Sequence, residues 1–360
     1  MNDIGLPATG DAASCAKDID TLKAKVGFLS RPESYRPGVG RVECRETHMS
    51  WVFLAGERVY KLKKPVRFPY LDFSTLARRE AACRAELRLN RRLAPDIYLD
   101  VVPLTATPAG LAIGGQGAIV DWLVVMSRLD LHLMLDQILL NGRLARGDID
   151  RLGEVLAHFY RRVRPVFPNR AVYLNKWRRA VAENRRILLD RRFGLPGGEV
   201  RRIDRAQRDF LARCAPVLAG RVRAGYIRDA HGDLRPEHIW IGETIKIIDA
   251  LEFNAELRAI DPLDEIAFLS VECDLLGARW VGERIRRQLA ATLGHGAPAA
   301  LFSFYRCYRA SLRARLSIAH LLEPIPRTPD KWPRQARAYL RIAARDAGRL
   351  ARGIRRPADR

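Results

Sequence analysis

His231-Gly232-Asp233-Leu234-Arg235-Pro236-Glu237-His238 runs into Ile239-Trp240-Ile241, a Gly242-Glu243 turn and Ile245-Lys246-Ile247-Ile248-Asp249. The stretch reads as a loop bearing one acid, then a β-hairpin, then a second acid where the hairpin ends. A hairpin returns its two ends to one place. Asp233 and Asp249 therefore meet although 16 residues separate them. Two converging carboxylates can hold a divalent cation and orient a hydroxyl, the two tasks of phosphoryl transfer.

Upstream of this stretch the text is rich in strands. Runs with β-branched or aromatic content occur at Val42–Cys44, Trp51–Leu54 and Arg58–Leu62, then at Val101–Thr105, Leu111–Ile113 and Ala118–Met126. Between the two groups, Thr75–Leu93 interleaves leucines and alanines with charges until Ala94-Pro95 stops it, as a helix would. The expectation is an α+β fold with a five-stranded antiparallel sheet and one helix inserted after the third strand.

Elsewhere the spacing is helical. Asp148–Val163, Leu174–Arg192, Arg201–Leu218, Leu263–Leu276, Val281–Leu293 and Pro298–Leu322 carry apolar residues at i, i+3 and i+4. Near the C-terminus, Ala336, Leu340, Ala343, Ala347, Leu350 and Ile354 form an apolar stripe beside a basic one that runs from Arg334 to Arg352. The expected division is a loose tail over residues 1–20, a small lobe over 21–127 and a larger, mainly helical lobe over 128–360.

Composition narrows the setting. The 360 residues are 48% hydrophobic, enough for a sizeable core shared between two lobes. No apolar run approaches the roughly 18–20 residues that cross a bilayer. Met1–Ala16 lacks the basic start and apolar stretch of a signal peptide, so a cytoplasmic protein is expected. Six scattered cysteines offer neither zinc-ligand spacing nor a disulfide framework. Lys and Arg number 63 against 41 Asp and Glu, a net of +22 that favours anionic partners. No recognised nucleic-acid motif accompanies that charge, so nucleic acid is not the expected partner. G-x-x-x-x-G-K-[ST] is absent, which excludes a P-loop enzyme.

The His231-Gly232-Asp233 and Ile248-Asp249 motifs resemble the catalytic and metal loops of the protein-kinase-like superfamily, in its aminoglycoside-phosphotransferase branch. Further phrases are similar to an uncharacterised bacterial branch of that family. They include Thr47-His48-Met49-Ser50-Trp51-Val52-Phe53-Leu54, Lys61-Leu62-Lys63-Lys64-Pro65 and Leu251-Glu252-Phe253-Asn254. The likeness runs from about residue 25 to 325 and implies a protein-kinase-like, two-lobed fold. It makes Asp233 the group that takes or orients the acceptor's hydroxyl proton, Asp249 the magnesium ligand and His231 a brace. It makes Lys61, with Lys63 on the same strand face, the lysine of the nucleotide phosphates. Glu86 becomes its ion-pair partner, with Glu80 as the alternative.

The glycine-rich phosphate loop of protein kinases is missing. Hydroxyls of Thr47 and Ser50 are candidates to cover the phosphates, and the backbone at Met126 leads into the expected adenine-binding hinge. One position departs from the family pattern: His238 stands where the family carries a metal-binding Asn. It ligates a different or weaker-held metal, or leaves a single metal to Asp249 and contacts phosphate or substrate, or marks a degenerate site. The resemblance implies ATP and Mg2+, or Mn2+, and a small-molecule acceptor with a hydroxyl. The basic second lobe disfavours polycationic aminoglycosides and points to an anionic or neutral acceptor. Two alternatives remain: a non-catalytic nucleotide-binding pseudokinase that regulates a partner, and a basic nucleic-acid binder. Asp261 before Pro262 reads as a helix cap, and Arg306, Arg309 and Arg313 share a helix face that is either solvated or salt-bridged, or else clamps a substrate phosphate.

Overall fold

The computed structural model describes residues 22–294, 298–323 and 328–355. The tail expected over residues 1–20, Cys15 and the side chain of Ile354 lie outside the described residues. The chain divides into two compact units: the residues up to Asp130 together with Glu252–Asn254, and Leu131–Leu251 with the residues from Ala255 onward.

In the first unit the β-branched runs become β1 (Val42–Glu46), β2 (Ser50–Ala55), β3 (Arg58–Lys63), β4 (Tyr98–Thr107), β5 (Gly110–Ile113) and β6 (Ala118–Ser127). They form one antiparallel sheet in the order β1-β2-β3-β6-β4-β5. The expected five-stranded sheet therefore has six strands. The sixth is β5. The ten-residue β4 pairs with β6 from Tyr98 to Ala106, and β5 folds back onto the other edge of its last residues, from Leu104 to Thr107. One sheet face packs Leu29, Phe53, Leu62, Leu104 and Leu123 into a core.

Helix α1 (Leu76–Asn90) is capped by Thr75, whose hydroxyl accepts from the Arg78 N–H. Its buried face is not simply apolar, because Arg79 and Glu86 lie on it. Arg79 and Lys25 both close on the buried Asp121 of β6, at 2.8 and 2.6 Å. Charge pairing thereby fixes α1 against the sheet where an apolar stripe would otherwise be needed.

In the second unit the longer helices are α2 (Arg146–Arg162), α3 (Arg170–Leu188), α4 (Gly197–Arg213), α5 (Ala215–Arg223), α6 (Pro262–Leu275), α7 (Trp280–Leu293), α8 (Ala299–Ala319) and α9 (Lys331–Arg355). The single helix expected over Arg201–Leu218 is two. Pro216 cannot donate to a preceding turn, so the chain breaks at Cys214 and restarts with proline in the first turn of α5. Helix α6 is buried from Pro262 to Cys273 and forms the centre of this unit. On α9 the expected apolar stripe is buried from Ala336 through Leu350, while Arg334, Arg337 and Arg341 face solvent. Among the described residues no helix is long and apolar enough to cross a membrane.

Of the readings for the Arg306, Arg309 and Arg313 face, the salt-bridged one holds and the phosphate clamp does not. Arg306 is buried on Asp274 and Asp346, at 2.6 and 2.9 Å. Arg309 makes a two-pronged bond to buried Asp264, at 2.7 and 2.6 Å, and Arg313 meets Glu272 at 2.8 Å. These arginines neutralise carboxylates that α6 carries inward, and Arg306 also neutralises Asp346 of α9. Asp261 caps α6 as expected, accepting from the Leu263 N–H at 2.9 Å, and also holds Arg221 at 2.6 Å.

Candidate active site

The hairpin is built from β7 (Ile239–Ile241) and β8 (Ile245–Ile247), with Ile239 opposite Ile247 and Ile241 opposite Ile245. All four isoleucines are buried, so their alternation fixes the register. At the open end the Ile248 N–H donates to the His238 carbonyl at 2.9 Å. That bond sets the residue before Asp249 directly against His238.

Ahead of the hairpin the acid loop is held by backbone constraint and by burial. Gly232 sits at φ +90°, a conformation that side chains disfavour. A Cβ there would stand 3.0 Å from Leu251 Cβ and Arg258 Cγ. His231 is buried. Its Nε2 donates to the Ile248 carbonyl at 2.9 Å, and its Nδ1 accepts from the Asp233 N–H at 3.3 Å. Those two bonds require the neutral ring with its proton on Nε2. Burial, reinforced by the neighbouring His238, lowers the His231 pKa to about 4, in keeping with that form.

The sequence reading did not single out Glu265, which underpins the loop. Its carboxylate, fully buried on α6, accepts from the backbone N–H groups of Gly232 and His231, at 2.6 and 3.3 Å. Tyr160 of α2 donates to it at 2.7 Å. Burial raises the Glu265 pKa, with these donors opposing the rise. An acid amid the apolar run Ile266–Leu269 was the available signal, but acids in a first helical turn are commonplace.

Asp233 and Asp249 converge on His238. Asp233 Oδ2 is 3.7 Å from His238 Nδ1, and Asp249 Oδ2 is 3.6 Å from His238 Nε2. The ring is nearly buried, while Asp233 and Asp249 are 30% and 44% exposed and so open to a ligand. Nδ1 also lies 2.9 Å from the Asp233 carbonyl oxygen. A carbonyl only accepts, so Nδ1 carries the proton and Nε2 is the ring atom left to face Asp249. Asp249 adopts φ +61°, a left-handed conformation rare outside glycine and tolerated best by Asn and Asp. Arg235 reaches Asp233 Oδ2 at 3.7 Å and also pairs with Glu237.

In the first unit, Lys61 and Lys63 point to the same side of β3 and meet one carboxylate. Lys61 Nζ lies 2.8 Å from Glu86 Oε1, and Lys63 Nζ 2.6 Å from Glu86 Oε2. Lys63 also reaches Glu252 at 2.5 Å and is 1% exposed, whereas Lys61 is 16% exposed. Burial works against the charge on Lys63, but Glu252 and Glu86 outweigh it and hold its pKa above the ordinary lysine range. Glu80 instead pairs with Arg84 at the surface. The Thr47 hydroxyl is engaged in its own turn, accepting from the Ser50 N–H at 2.9 Å, and Ser50 is buried. Met126 is half-buried on β6, opposite Val59 of β3 and Tyr98 of β4.

The donors in the second unit fit a divalent cation. Asp249 offers a carboxylate oxygen and His238 an imidazole nitrogen whose tautomer is fixed by its backbone bond. Their 3.6 Å separation lies within the span of two ligands on one ion.

This architecture is the protein-kinase-like fold. The chain aligns with a choline/ethanolamine kinase family protein of Mesorhizobium loti at 18% identity, covering 93% of this chain and 97% of that one, with a TM-score of 0.51. A GDP complex of aminoglycoside 2'-phosphotransferase-IIIa aligns at 16% identity over 92% and 99%, TM-score 0.51. Choline kinase of Cryptosporidium parvum aligns at 12% over 93% and 98%, TM-score 0.54. In sequence, the chain is 34% identical over 295 residues to uncharacterized proteins of Mycobacterium tuberculosis and Mycobacterium bovis, a match covering 79% of this chain. The chain spans 56% of the length of those curated relatives. No protein-family model matches it.

Proposed function

We propose that the chain is an ATP-dependent phosphotransferase that moves the γ-phosphate onto a hydroxyl of an anionic or neutral small molecule. The observation that carries this reading is the meeting of Asp233 and Asp249 around His238, on a loop braced from beneath by Glu265. Asp233 takes the proton of the acceptor hydroxyl as the oxygen attacks. His231, neutral and bonded through both ring nitrogens, holds the loop in the shape that aims Asp233. Asp249 and His238 hold the cation, Mg2+ or Mn2+, which neutralises phosphate charge when bound.

Lys61 is the phosphate-facing lysine, since it keeps some exposure while Glu86 steadies it. Lys63, sealed between Glu86 and Glu252, positions rather than contacts. Thr47 and Ser50 shape the turn over the phosphates through their backbone, and the strand at Met126 leads to the adenine edge. A fold neighbour described with GDP supports a purine nucleotide as donor. The setting would be the cytoplasm, where ATP is made and free thiols persist.

A cavity of about 420 Å³ beginning at Arg235 suits the acceptor. Arg235, Arg313 and Lys331 there balance Asp136, Glu237 and Glu272, so the lining holds no surplus of acids to receive a polycation. The test is transfer of label from γ-labelled ATP into a metabolite extract, comparing wild type with Asp233→Asn. Labelled product from the wild type alone is expected; equal labelling by both removes Asp233 from its role. The pseudokinase reading draws on the His238 ring standing between the two acids. Thermal stabilisation by ATP with no labelled product at all would favour it.

A further inference from the structure

Resting on the phosphotransferase reading, we infer that His238 makes the cation site selective. Nε2 of His238 and the Asp249 carboxylate form a mixed nitrogen–oxygen donor pair that favours Mn2+ and its neighbours among first-row metals over Mg2+. The argument starts from the ring's anchoring. Nδ1 is tied to the Asp233 carbonyl oxygen at 2.9 Å, and a carbonyl leaves only one tautomer. The free lone pair of the neutral ring is therefore at Nε2, the atom that faces Asp249 Oδ2 at 3.6 Å. That separation is too long for a direct hydrogen bond and short enough for two donors to share one ion. Burial works in the same direction: the ring is only 12% exposed and tied by Nδ1 to the Asp233 carbonyl, which disfavours an all-oxygen, water-rich shell.

Magnesium demands near-ideal octahedral oxygen coordination and gives up water reluctantly. Imidazole nitrogen suits the later divalent metals, whose affinity for nitrogen sites rises along the row. A fixed imidazole at this position thus costs Mg2+ an oxygen ligand and gives Mn2+ a nitrogen one. The asparagine variant replaces the imidazole with the shorter amide that the family pattern carries here, removing the nitrogen donor without adding charge.

The test uses Mn2+ with inorganic tripolyphosphate, a nitrogen-free stand-in for the nucleotide phosphates, followed by electron paramagnetic resonance and by competition with Mg2+. Wild-type protein carrying 15N-histidine should show a histidine-nitrogen coupling to bound Mn2+. His238→Asn should lose that coupling, still bind Mn2+, and shift the Mn2+-over-Mg2+ preference by about tenfold or more toward Mg2+. Thermal melts of both proteins establish that the variant is folded. Mn2+ bound without histidine coupling, or an unchanged preference in His238→Asn, overturns the inference while leaving the phosphotransferase reading intact. Mn2+ binding that persists unchanged in Asp249→Asn removes both, because the site itself would then be elsewhere.

Discussion

At the level of single residues, protonation separates the two histidines of the acid loop. His231 is buried, and its pKa of about 4 lies below the ordinary 6.5. Below pH 6.5 the unfolded chain takes up a proton that the folded chain refuses until about pH 4, so stability falls as acid is added. For this one group the loss across the window is about 3 kcal/mol. Denaturant titrations between pH 7 and 4 should show a steeper decline for wild type than for His231→Asn, and parallel curves would contradict the assignment. The motif residues were legible because His231, Gly232, Asp233 and Asp249 lie in two short runs with a hairpin between them. Glu265 was not, since it is remote in sequence and looks like an ordinary acid of a helix's first turn.

Among the elements, the hairpin was readable and the arginine helices were not. Alternating isoleucines around Gly242-Glu243 can bury one face only in a single register. By contrast, Arg306 and Arg309 share a helix face that sequence spacing cannot distinguish from a solvent face. Their carboxylate partners lie 32 to 45 residues away. The strand at Leu111–Ile113 was legible, although the sheet was counted as five strands rather than six.

Two predictions belong here. Gly232→Ala forces a side chain into φ +90° against Leu251 and Arg258, and should lower stability by about 1–3 kcal/mol in denaturant melts. A change within a few tenths would mean the loop relaxes freely. On β3, Lys63→Met takes the buried cation from Glu252 and one of two lysines from Glu86, and should cost about 3–5 kcal/mol. Lys61→Met leaves Glu86 its second lysine and should cost under about 1 kcal/mol while cutting turnover. Equal destabilisation by the two substitutions would undo the division of labour between them.

For the whole molecule, half of the net charge of +22 lies in residues 301–360, where 15 Lys and Arg stand against 4 Asp and Glu. Arginines are consumed in pairs: Arg221 with Asp261, Arg309 with Asp264, Arg345 with Asp274, Arg349 with Asp346. The α+β class, the inserted helix and the helical second unit followed from periodicity, because strand and helix bury faces with different repeats. The reaction class rests instead on a few side chains that the fold gathers. The most direct measurement of that claim is the steady-state rate of ATP consumption by wild type, Asp233→Asn and Asp249→Asn, assayed together with Mn2+ and with Mg2+ in the presence of a metabolite extract. Both variants should fall by about 100-fold or more while melting like the wild type. Turnover within threefold of wild type in either variant would contradict the account.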